Sequence, residues 1–226
     1  MTANLTGYAY LVASVLFILS LRGLSSPETS RTGVIFGIIG MALAIVTTLS
    51  DPNVISYSMI VMGVLIGGAI GSVVALKIKM TALPQLVAAF HSLVGLSAVF
   101  VAVSAFFNPE VFGIGSFGKI GSASLIELSL GTSIGAITFS GSVIAFAKLQ
   151  GVMSGAPITF IGQHKLNAVI ALIIIALTIL LVIGQNEVVF WLLVSLSFLI
   201  GFLIIVPIGG ADMPVVVSML NSYSGW

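Results

Sequence analysis

The apolar run LPQLVAAFHSLVGLSAVFVAVSAFF at residues 83–107 contains one titratable residue, His91, about a third of the way along. At ~1.5 Å rise per residue the run reaches ~37 Å as a helix, more than the ~30 Å of bilayer hydrocarbon. An ionisable group inside a spanning helix is costly, and such groups mark proton or ion pathways. Imidazole suits that task because its unperturbed pKa of ~6.5 lets it take and release a proton near neutral pH. Counted from the polar ends of their helices, His91 lies ~15 Å inside from Thr81, Asn221 ~13 Å inside from Asp212 and Ser140 ~12 Å inside from Lys148. Imidazole, amide and hydroxyl on three helices can form a hydrogen-bonded chain, alone or through water. The amide and hydroxyl orient the ring or a water and do not titrate. The competing reading of Asn221 and Ser140 is interhelical hydrogen-bond glue.

Three other residues carry weaker signals. Glu127 stands about one turn into its helix from the opposite membrane face, where a carboxylate either takes up protons or snorkels to the interface. Asp212 reads as a helix cap before it reads as a proton carrier. His164, beside Lys165 in a loop, reads as a solvated residue. The two histidines differ too far in depth to share a metal, and no carboxylate is spaced to help, so no metal site is expected.

These residues need helices to hold them, and composition supplies the class. Of 226 residues 59% are hydrophobic and 6% charged, with a mean hydropathy of +1.29, too few charges to coat a soluble globule. The net charge of +1 has no basic cluster behind it, which argues against nucleic acid as a partner. Cysteine is absent, excluding disulfides and thiolate metal sites. The fold class is therefore all-α, a polytopic transmembrane bundle of about eight spanning helices. Spans are expected at residues 7–21, 33–49, 54–76, 83–107, 124–147, 166–183 and 188–206, with an eighth starting near Asp212 and still running at Trp226. Thr81 suits the N-cap of the fourth span and Pro84 its first turn. The N-terminal run lacks the positive n-region of a signal peptide and reads as the first span, retained. Arg22, Arg31, Lys77, Lys79, Lys148 and Lys165 fall on one side and Lys119 on the other, which puts the N-terminus outside by the positive-inside rule. Glycines four apart, Gly63, Gly67 and Gly71 on the third helix and Gly131 and Gly135 on the fifth, predict close helix packing within the bundle. Gly95, four residues past His91, leaves room for the fourth helix to rotate or shift.

No P-loop is present, and Gly113-Ile114-Gly115 lacks the rest of a dinucleotide fingerprint. Residues and spacing alone indicate a multi-spanning protein that conducts or couples protons through one buried histidine. A free-standing proton-coupled transporter or channel built on the same His91 is the alternative.

Four stretches add a family. GLSSPETSR, MTALPQLVAAFHSLVGLSAV around His91, TFSGSVIAFAKL and IGGADMPVVVSMLNSYSGW resemble the membrane domain of the β subunit of proton-translocating NAD(P) transhydrogenases, nearly end to end. The resemblance implies an enzyme that transfers hydride between NADH and NADP+ while moving a proton inward across the bacterial inner membrane. It implies His91 as the proton-carrying group, Asn221 as its partner, Ser140 as a weaker member of the path and Asp212 as a coupling residue toward the nucleotide domain. It also implies that residues 1–226 form the transmembrane proton-translocating domain alone. The family continues with the rest of the last helix, another span and an NADP(H)-binding domain, so this chain by itself would lack the hydride-transfer sites and bind no cofactor. Partners implied are the α subunit, which binds NAD(H), the missing NADP(H)-binding domain, membrane lipid and a second αβ unit in a homodimer.

Overall fold

The computed structural model describes residues 3–50 and 56–224. Long apolar runs bounded by charge, proline or glycine become helices: α1 (Ala3–Leu24), α2 (Ser30–Leu49), α3 (Tyr57–Lys77), α4 (Leu83–Phe107), α5 (Ser122–Leu149), α6 (Gln163–Gly184), α7 (Glu187–Ile205) and α8 (Met213–Ser224). The first seven are long and apolar enough to cross a membrane, and the chain is an all-α polytopic bundle. The expected break at Asp51-Pro52 and the expected helix start at Val54 lie outside the described residues, as does Trp226.

Two compact units make up the chain, residues 1–76 and 77–226. In the first, α1 and α2 pack as an antiparallel hairpin. A Cβ at Gly23 would stand 2.6 Å from Gly33 Cα, so the backbones touch where the chain turns back. The turn is tied by Thr29 Oγ1 donating to the Gly23 carbonyl at 2.7 Å, and by Ser26 donating to Glu28, which holds that carboxyl below the usual range. On α3, nothing within this unit approaches Gly63, Gly67 or Gly71, so the packing expected of that stripe is not made there.

The second unit holds the remaining helices around α5. Pro84 occupies the first turn of α4, and Ala82 rather than Thr81 is its N-cap residue, Thr81 being taken into a short 3-10 turn. Between α4 and α5 a two-stranded ribbon forms, β1 (Gly115–Ser116) antiparallel to β2 (Lys119–Ile120). Gln185, in the left-handed region at φ 49, closes α6, and its amide pairs with both backbone groups of Ile120 at 2.9 and 3.0 Å. Asn186 then caps α7 by accepting from Val188 N at 2.8 Å.

Two apolar clusters stand apart along these helices. One gathers Val99, Phe106, Leu125, Ala136, Leu181 and Phe190, with the Phe106 and Phe190 rings stacked at 4.3 Å. The other gathers Ala88, Ala145, Ile205, Met213, Val217 and Leu220. His91 on α4 falls between Ala88 and Val99, and Ser140 and Ser142 on α5 fall between Ala136 and Ala145. Along both helices these polar residues thus lie between members of the two clusters.

Candidate functional site

His91 is 6% exposed. Its Nδ1 lies 2.9 Å from Ser142 Oγ on α5 and its Nε2 lies 3.1 Å from Ser224 Oγ on α8. Ser224 Oγ donates in turn to the Asn221 carbonyl, one helical turn back, at 3.1 Å. Those contacts favour one neutral tautomer. With the Ser224 proton committed to a carbonyl, its oxygen accepts from Nε2–H, and Nδ1 then accepts from the Ser142 hydroxyl.

Helix geometry explains why Ser142, and not Ser140, meets the ring. Two residues on an α-helix differ by roughly 200° in direction, so the pair face opposite ways. Ser140, fully buried, donates to the Ala136 carbonyl at 2.8 Å and packs against Gly201 of α7. Ser129 and, in α7, Ser197 make the same bond to the carbonyl four residues back. Ser142 spends its hydroxyl on His91 instead. Between the two serines, Gly141 admits neighbours closely: a Cβ there would stand 2.9 Å from Ile205 Cγ1 and 3.1 Å from Leu220 Cδ1.

Asn221 reaches the site through its main chain. Its side chain is exposed and lines a cleft of about 440 Å³ with Leu83, Pro84 and Val87 of α4 and Pro214, Val217 and Ser218 of α8. The cleft opens beside the N-terminal turns of both helices and so approaches His91 from that end. Asp212 closes the 3-10 turn Gly210–Asp212 just before α8, and its carboxylate makes no hydrogen bond among the described residues. Glu127 is exposed on α5, lining a cleft of about 450 Å³ with Ala98, Ala102 and Phe112. Some 15 residues separate it from Ser142, or ~22 Å along the helix, so it is no part of the His91 cluster.

Sequence reasoning passed over Ser142, Ser224 and the environment of Lys148. The signal for Ser224 was present: it follows Asn221 by three residues and shares its face. Lys148, 5% exposed, is turned inward, its ammonium donating to the carbonyls of Val206 and Ile208, each at 2.6 Å, and of Ala156 at 3.4 Å.

Residues 6–226 match the family model described as NAD(P) transhydrogenase beta subunit. Two curated sequences from Rhodospirillum rubrum, both named NAD(P) transhydrogenase subunit beta, are each 59% identical over 226 residues, which is 100% of this chain and 49% of the relative. The chain thus spans about half the length of the curated relatives it matches. Matched across nearly its whole length, the chain belongs to the NAD(P) transhydrogenase beta-subunit family.

Proposed function

We propose that this chain conducts protons across the membrane in a transhydrogenase, with His91 as the carrying group. The observation that supports this is the pairing of both His91 ring nitrogens with hydroxyls from two other helices, inside a span that holds no other titratable residue. A buried imidazole held on both sides can pass a proton from one nitrogen side to the other only if its partners rearrange, and serine hydroxyls rotate freely enough to do so. In this reading Ser142 and Ser224 orient the ring, and Asn221 borders the approach from the end of α8 that carries Asp212. Ser140 secures α5 against α7, Asp212 stands where a nucleotide-binding domain would bear on α8, and Glu127 stands at the far end of the bundle.

The complete enzyme would couple that proton to hydride transfer between NADH and NADP+. The two-stranded ribbon is the only sheet among the described residues, and it leads into α5 without the strand, glycine-rich turn and helix that cradle a dinucleotide. The nucleotide sites would lie on an α subunit and on further β-subunit sequence. An αβ homodimer in a bacterial inner membrane, with the N-terminus outside, completes the proposal.

The test is proton pumping by the complete enzyme in proteoliposomes, wild type against His91→Ala. Pumping and forward transhydrogenation should fall together by at least a hundredfold in normally assembled enzyme, in line with the typical contribution of a positioned acid–base group, about 10²–10⁴-fold. Full coupled pumping by His91→Ala would remove His91 from the path.

A further inference from the structure

The connection between α5 and α6 ends in a cleft that the proton path does not use. It has a volume of about 510 Å³ and is bordered by Thr159, Phe160, Gln163, His164, Lys165 and, from the α7–α8 turn, Pro207. No carboxylate lines it. His164 and Lys165 are exposed and make no side-chain hydrogen bond or ion pair among the described residues. Their backbone amides, in the first turn of the 22-residue α6, make no backbone hydrogen bond among the described residues.

A second observation is independent of the helix terminus. Gln163 is 7% exposed, borders the cleft and makes no side-chain hydrogen bond among the described residues. The residue is buried while its unpartnered amide atoms keep solvent access, so the amide is free to bond a ligand in the cleft it borders. Two cationic or protonatable side chains, a primary amide and free amides at a positive helix end together form a receptor for an oxyanion. The rim is apolar and outward: Ile158 and Phe160 are each 46% exposed, and Ile161 is fully exposed. Side chains of that kind beside cationic groups seat in the boundary between acyl chains and headgroups.

We propose that this cleft binds a phosphate group, carried by an anionic phospholipid headgroup or present as free phosphate. Lys165 supplies the charge, and His164, Gln163 and the first-turn amides of α6 supply further donors. The apolar rim favours the headgroup, which arrives at this depth with its acyl chains beside Phe160 and Ile161.

Native mass spectrometry of the complete enzyme in detergent, titrated with dioleoylphosphatidylglycerol and separately with inorganic phosphate, tests it. Saturable binding should weaken about tenfold in Lys165→Gln, the usual effect of losing one hydrogen bond to a charged group. Gln163→Leu should weaken it several-fold, Lys165→Arg should stay within about twofold, and Lys119→Gln on the distant ribbon should change nothing. Displacement of the lipid by millimolar phosphate identifies free phosphate as the ligand, and resistance to displacement identifies the headgroup. Binding of both probes that is indifferent to Lys165→Gln and to Gln163→Leu overturns the proposal. Lys165 is exposed, so its substitution does not threaten the fold.

Discussion

Protonating His91 forces a hydroxyl to turn. In the neutral ring Nδ1 accepts from Ser142, but an imidazolium donates from both nitrogens, so the Ser142 hydrogen must leave that line. The vacated hydrogen has a ready acceptor in the carbonyl four residues back, the bond that Ser129 and Ser140 already make on this helix. Ser142 is thus the side chain whose state follows the proton. In reconstituted complete enzyme, Ser142→Ala should lower coupled turnover about tenfold, the loss expected when one positioned hydrogen bond worth ~1–1.5 kcal/mol is removed. Ser140→Ala should leave turnover within about twofold. The opposite ranking, with both variants assembled, would move the path to the α7-facing side of α5. Depth was legible from the sequence, since counting from Thr81, Lys148 and Asp212 brings all three expected residues to one level. Direction was not, because helix rotation is set by packing partners such as Gly141 against Ile205 and Leu220, which no single helix encodes.

Helix α4 is held against α5 where neither carries a side chain. A Cβ at Gly95 would lie 2.6 Å from Phe139 N and 2.7 Å from the Gly135 carbonyl, and one at Gly135 would lie 2.8 Å from the Gly95 carbonyl. The room that Gly95 offers is therefore filled by backbone, four residues from His91. Backbone cannot step aside as a flexible side chain does. Gly95→Ala should destabilise the bundle by about 1–3 kcal/mol, the usual range for overpacking, seen as a lowered midpoint of thermal unfolding in detergent. Gly131→Ala has nothing within 4 Å of the added carbon and should be close to neutral. A Gly95→Ala protein as stable as wild type would show that the two helices part easily. Among the elements themselves, existence was legible and ends were not. The apolar runs became helices, yet α5 extends two residues beyond expectation at each end and α6 begins at Gln163 rather than Leu166. Hydropathy marks where lipid stops, whereas helical hydrogen bonding continues into the polar boundary.

Much of the chain's apolar surface faces outward, as lipid or partner subunits require: Ile38 on α2, Leu65 on α3, Leu172 on α6 and Val188 on α7 are each more than three-fifths exposed. The proposed orientation follows from charge, and the absence of cysteine makes it simple to check. Single-cysteine variants Lys119→Cys and Lys165→Cys in intact cells should differ, the first labelled by an impermeant maleimide from outside and the second only after permeabilisation. Equal labelling of both in intact cells would refute it. Lys148, one of the charges behind that assignment, does more than mark a side. An ammonium that finds its solvation in three carbonyl oxygens sits in a narrow well, because withdrawing the turn would strand a charge among apolar neighbours. The corner between α7 and α8 is thereby pinned to the end of α5. Sliding α8 along its axis together with that corner therefore also requires breaking the Lys148 contacts. Rotation or tilt of α8, which would shift Ser224 against the imidazole, leaves those contacts in place more readily than sliding does.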